Sequence, residues 1–132
     1  MPPLSIKAGM KKFLFLAGIN GAIAVVAGAL ASHAPGLPSG PAATIRLGGT
    51  YHLVHAVALG LAALAARGPA RPRAEAAGWL FLAGMILFSG GLYLLALTNA
   101  HVFAYLVPFG GLSFIAGWIV LALAGLKLED MP

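Results

Sequence analysis

The chain has 132 residues, 61% of them hydrophobic and 8% charged, with a mean hydropathy of +0.96. A chain so poor in charge cannot cover its apolar surface in water, so lipid must be its solvent, and the length fits one domain. No cysteine is present, which excludes disulfides, thiolate metal sites and cysteine nucleophiles. The net charge of +5 does not point to nucleic acid, because the basic residues flank apolar runs, where they set topology.

The first apolar run covers residues 13–32 and follows Lys7, Lys11 and Lys12. Ala17, Gly21, Ala24 and Gly28 fall on one helical face within it, suited to close packing or to a dimer seam. Lys11-Lys12, the apolar run and Ala29-Leu30-Ala31 also fit a secretory signal peptide. The run is longer than the usual apolar segment of about 7–15 residues, so a retained span is expected.

Pro35-Gly36-Leu37-Pro38-Ser39-Gly40-Pro41 cannot continue a helix. Residues 42–49 are expected to form a short helix lying at the interface. The second apolar run is 50–66, with Ala58, Ala62 and Ala65 on the face that carries His55. A loop rich in proline and arginine, residues 68–73, follows. Residues 76–126 then run for 51 positions without Asp, Glu, Lys or Arg. That is about twice the length needed to cross a bilayer. A break near Thr98-Asn99 divides it into spans at 76–97 and 104–126. Gly84 and Gly91 offer packing surfaces in the third span, and Gly110, Ser113, Gly117 and Ala124 share a face of the fourth. Pro108 is expected near the true start of the fourth helix.

These elements define an all-α, integral membrane four-helix bundle. Seven basic residues fall on the side of the termini and Arg46 alone on the other. The positive-inside rule places both termini of this multi-pass protein in the cytoplasm.

Polar side chains inside a membrane are costly and are the first functional candidates. Asn20, Ser89 and Ser113 are expected to form interhelical or i−4 backbone hydrogen bonds, each worth about 0.6–2 kcal/mol. All four histidines fall toward the non-cytoplasmic side. His33 ends the first span, His52 and His55 open the second, and His101 lies in the last turn. His52 and His55, at i and i+3, and Tyr51 and His55, at i and i+4, share a face and could converge with His33. Candidate ligand or polar-site residues are therefore His33, Tyr51, His52, His55 and Ser89. A Zn or Cu ion would use His33 and His55. No carboxylate lies on that side to orient the imidazoles, which weakens a metal site and rules out a Ser-His-Asp triad. Gly110-Gly111 lacks the cationic partner of a phosphate-binding turn.

Three stretches carry a family resemblance. They are Ala27-Gly-Ala-Leu-Ala-Ser-His33-Ala, Tyr51-His-Leu-Val-His55-Ala, and Leu87-Phe-Ser-Gly-Gly-Leu-Tyr93 with Val107-Pro-Phe-Gly-Gly-Leu-Ser-Phe-Ile-Ala-Gly-Trp118. Together they resemble the DUF423 family of small bacterial membrane proteins, which is similar to the eukaryotic transmembrane protein 256 group. The resemblance implies a four-span inner-membrane protein without an established activity. It marks His33, Tyr51, His55, Ser89, Gly90, Tyr93, Pro108, Gly110, Gly111, Gly117 and Trp118. Gly91 and Val107 stand where the family carries Ser and Thr, and His52 and His101 lie outside its pattern. Gly21, Gly28, Gly90, Gly110, Gly111 and Gly117 are the expected helix-packing positions.

The leading functional expectation is a non-catalytic accessory or scaffold protein, as a homo-oligomer or within a larger membrane complex. A metal- or cofactor-binding protein using the outer histidines is the alternative, its cofactor unknown. A small-solute transporter or channel ranks below both, because only Asn20 and Ser89 approach the midplane depth where such proteins place polar groups.

Overall fold

A computed structural model describes residues 8–129. Lys7, one of the basic residues that orient the chain, lies outside the described residues. Among those described there is no strand, and four helical stretches are long and apolar enough to cross a membrane.

Helix α1 spans Ala8–His33 and stops ahead of Pro35, with Gly36 taking a left-handed φ of 73° in the turn. Helix α2 spans Ser39–Ala65. It begins about three turns before Thr50, so residues 42–49 are its first part and not a separate interfacial helix. The reason is local. Pro41 falls in the first turn, where a missing N–H costs nothing because those donors have no partner inside a helix. Nothing after Pro41 breaks the chain until Ala65.

The third crossing is made of two helices in line. Gly68–Ala70 forms a 3-10 turn and α3 follows at Arg71–Gly84. Met85–Ser89 is a π-helical turn, and α4 continues at Gly90–Thr98. Asn99 then adopts a left-handed φ of 56°, and its N–H bonds Leu95 O at 2.8 Å. Asparagine tolerates this conformation better than most residues, so the uncharged run breaks there. A 3-10 turn at His101–Tyr105 leads into α5, Leu106–Gly125, with Pro108 in its first turn.

Helix α2 is the centre of the bundle. Half of its apolar window is buried, against 17% for α1 and for α5. It packs on α1 along one side and on α3, the π turn and α4 along the other, and α5 lies chiefly against α3 and the π turn. Small residues make this possible, since helices in lipid gain most from close van der Waals approach. Ala58, Ala62 and Ala77 are fully buried against Phe81. Phe13, Leu59, Met85 and Phe114 fill the adjoining core. Large aliphatic side chains such as Val25, Val26 and Ile119 point outward to lipid.

The glycines differ in what they do. A Cβ at Gly110 would collide with the backbone of Phe88, and one at Gly117 would lie 2.7 Å from the Phe81 ring. At Gly21, Gly90 and Gly111 it would meet only ordinary contacts of 4.0, 3.8 and 3.9 Å. At Gly28 it would meet nothing within 4 Å, although the Gly28 N–H lies close beneath Gly49. The small-residue face of α1 is turned inward: Gly21 meets Ala56, and Ala24 and Ala27 border Gly49.

At the end of the bundle holding both chain ends, Arg71 pairs with Glu75 at 2.9 Å, and Arg73 donates to Leu123 O at 2.8 Å. Lys12 lies 4.7 Å above the Trp79 ring. At the opposite end Arg46 reaches Ala31 O at 3.4 Å.

Candidate functional site

A helix needs roughly 20 residues to cross the hydrocarbon core, so with its inner edge at Ala65 the outer edge of α2 falls near Arg46. His52 and His55 then lie about 9 Å and 13 Å below that edge, toward the middle of the membrane. They do not open the span at its outer surface. The earlier start of α2 accounts for the difference.

The two imidazoles face different neighbours. Residues three apart on a helix are turned about 60° from each other, and in a packed bundle that separates their partners. His52 is 5% exposed and sits between α1 and α4. Its Nε2 lies 2.8 Å from Asn20 Oδ1 and its Nδ1 lies 3.0 Å from the Tyr93 hydroxyl. Asn20 Nδ2 donates to Leu16 O at 2.8 Å, which turns Oδ1 toward the ring. A carbonyl oxygen only accepts, so His52 carries its proton on Nε2 and donates it to Asn20. Nδ1 accepts from Tyr93. One unbroken chain of hydrogen bonds thus joins α1, α2 and α4 through this ring.

His55 is 4% exposed and faces α5. Its Nδ1–H donates to Tyr51 O at 2.7 Å, so Nε2 is bare and accepts from Trp118 Nε1–H at 3.0 Å. The Phe114 ring stacks on the imidazole at 3.5 Å, nearly parallel at 9°. Phe81 closes a further side at 5.8 Å. Phe114 can come this close because Gly84 leaves room for its ring, and Trp118 because Gly117 leaves room for Phe81.

Two hydroxyls complete the layer. Ser89 Oγ donates to Gly48 O at 2.8 Å and Ser113 Oγ to Leu80 O at 2.7 Å. Both bonds run between helices. Ser89 ends the π turn, and such turns recur where helices carry specialised contacts. Among the described residues no buried side-chain nitrogen or oxygen lacks a partner.

His33 is not part of this layer. It is exposed at the end of α1, thirteen residues and about 20 Å beyond Asn20. It does not converge with His55, and His101 is exposed in its own turn. Tyr51 is 43% exposed at the lipid face, its ring 4.8 Å from Phe88. No group of three or more His, Asp or Glu side chains is arranged to hold a metal ion among the described residues.

The pairing of Asn20 with His52 was open to arithmetic. Asn20 lies thirteen residues before the end of α1 and His52 thirteen after the start of α2, so antiparallel neighbours put them level. A helix starting at Thr50 would lack this correspondence, because His52 would then be only two residues in. Tyr93 and Trp118 were visible as family positions, but which histidine each one meets depends on the crossing of α3–α4 and α5 over α2.

Fold and site together define a small four-span integral membrane protein whose polar side chains close on one another inside the bundle. The family model for "Protein of unknown function (DUF423)" matches residues 27–111, and the chain belongs to that family. It is 36% identical over 121 residues to the UPF0382 membrane protein YwdK of Bacillus subtilis, covering 89% of this chain and 98% of that one. It is 38% identical over 120 residues to the UPF0382 membrane protein SERP0230 of Staphylococcus epidermidis, with coverage of 89% and 98%. It is 35% identical over 125 residues to the UPF0382 inner membrane protein YgdD of Escherichia coli, covering 88% and 90%. No solved structure matches the chain.

Proposed function

We propose that this chain is a non-catalytic accessory or scaffold protein of the bacterial inner membrane. One observation carries the reading: all four ring nitrogens of the two buried histidines are taken up by partners within the chain. An imidazole with both nitrogens engaged offers no base, nucleophile or metal ligand without first breaking a bond in the membrane interior. The depth of His52 and His55 is that at which transporters carry polar groups. The pairing, not the depth, is what supports a static role. Helices α1 and α5 flank the bundle and leave apolar faces, among them Val25, Val26 and Ile115, for lipid, a second copy or another membrane protein.

A second reading draws on a groove of about 500 Å³ beside His55, lined by Tyr51, Phe88, Phe114 and Trp118. It would take a flat, lipid-soluble cofactor between aromatic walls, with Trp118 turning its N–H from His55 to the ligand. Protein extracted from metal-replete cells decides between the two by elemental analysis, visible absorption and co-purification from native membranes. The scaffold reading expects no stoichiometric metal or chromophore and a reproducible protein partner or self-association. A bound chromophore, or a chain that runs alone as a monomer, overturns it.

The positive-inside rule supports a cytoplasmic position for both termini. A cysteine placed beside Arg71 should then resist an impermeant thiol reagent in intact cells and react after lysis. Labelling in intact cells would reverse the orientation.

A further inference from the structure

At the basic end of the bundle a groove of about 340 Å³ runs between the last turns of α2 and α5. Its lining comprises Leu61, Leu64, Leu121, Gly125 and Leu128 with Arg67, which is exposed. Leu61 and Leu64 are about half exposed, so the groove opens on the lipid-facing side. Its chemistry has two halves, an apolar channel along the bundle and a guanidinium where the channel meets the interface.

The neighbouring charges sharpen this. Arg71 is engaged by Glu75, Arg73 by Leu123 O, and Lys12 by the Trp79 ring. The Arg67 guanidinium has no hydrogen bond or ion pair among the described residues. Ala66, Ala74 and Ala124 pack together, fully buried, which sets Arg67, Arg73 and Lys127 around the end of α5. Glu129, beside Gly68, is the facing carboxylate. Among the described residues Arg67, Arg73 and Lys127 face this one carboxylate, at a helix C-terminus where Arg73 already answers a carbonyl.

We propose that this groove is a phospholipid site: an acyl chain lies along the leucines and the phosphate of an anionic headgroup sits on Arg67, with Lys127 beside it. A free cation at the bilayer surface attracts anionic lipid in any case. The groove adds a fixed place for the chain, so retention should depend on both halves independently.

The test uses full-length protein in mixed phosphatidylglycerol and phosphatidylcholine micelles, with retained lipid counted by native mass spectrometry. Wild type should hold phosphatidylglycerol in preference to phosphatidylcholine. Arg67→Gln should weaken that retention about fivefold, the effect of one surface cation. Gly125→Leu leaves every charge in place, and its new side chain enters open space at the groove. It should reduce retention of both lipids. Arg46→Gln, which removes one charge at the far end, reads the general attraction and should weaken phosphatidylglycerol retention less than Arg67→Gln does. Equal retention of the two lipids by wild type overturns the proposal, as does an Arg67→Gln effect no larger than that of Arg46→Gln. Undiminished binding in Gly125→Leu does so too, and that variant still decides the matter if Arg67→Gln does not fold.

Discussion

Replacing Gly110 by alanine should strongly destabilise the folded bundle in detergent, while the same change at Gly111 should leave its stability nearly unchanged. The two glycines are adjacent in one motif, yet their surroundings differ. A Cβ at Gly110 would fall on the backbone nitrogen of Phe88 and within 2.7 and 2.8 Å of its Cβ and Cα. Those atoms belong to the π turn and cannot rotate away, so α5 would have to move off the third crossing. A Cβ at Gly111 would meet the edge of the Phe88 ring at 3.9 Å, an ordinary contact. Overpacking a core costs about 1–3 kcal/mol when side chains can adjust. Here backbone meets backbone, so a loss of at least about 3 kcal/mol is expected. Thermal unfolding of the purified variants reads this directly. Gly110→Ala melting within a few degrees of Gly111→Ala would refute the contact.

His52→Leu should be the most damaging change to a polar side chain. It removes a ring bonded on both sides and leaves Asn20 Oδ1 and the Tyr93 hydroxyl without their partner. Each stranded group costs about 1–3 kcal/mol when buried. Hydrogen bonds between membrane helices are worth less on average, about 0.6 kcal/mol. A combined loss of about 2 kcal/mol is expected from the two together. Tyr93→Phe and Trp118→Phe each break one bond and should cost about half as much. The discriminating result is the double variant. With His52 already gone, removing the Tyr93 hydroxyl takes away a stranded group, so His52→Leu with Tyr93→Phe should lose less than the sum of the single losses. Unfolding in mixed micelles, followed by the fluorescence of Trp79 and Trp118, gives the four values. Strict additivity would mean that the His52–Tyr93 bond contributes nothing.

The four crossings were legible because lipid demands long uncharged runs and because Asn99 marks the break between the last two. The start of α2 was not. Proline read as a helix breaker, yet Pro41 falls where a helix has no use for its N–H. That single boundary sets His52 and His55 deeper in the membrane than a helix starting at Thr50 would, and away from His33 at the exposed end of α1. Which serine bonds which carbonyl was equally hidden, since Ser89 and Ser113 have i−4 carbonyls available in sequence but reach across to Gly48 and Leu80. The π turn carries no residue signature of its own. It lies where Gly110 brings α5 against Phe88, a meeting of two segments that neither shows alone.

The π turn at Met85–Ser89 also makes spacing part of the site. One extra residue wound into a helix advances every later side chain by about 100°. Before the turn, Phe81 and Gly84 look toward Gly117 and Phe114 on α5; after it, Leu92 and Tyr93 look toward Gly48 on α2. Both neighbours are met on either side of the turn, since Phe81 also packs on Ala58 and Ala62 of α2 and Gly91 lies against Leu106 and Val107 of α5, so the turn sets which residues face each. Dropping a single residue between Gly84 and Gly90 would leave hydropathy and length adequate for a membrane span. It would swing the Tyr93 hydroxyl away from His52 all the same. What the segment must keep, beyond its composition, is its count.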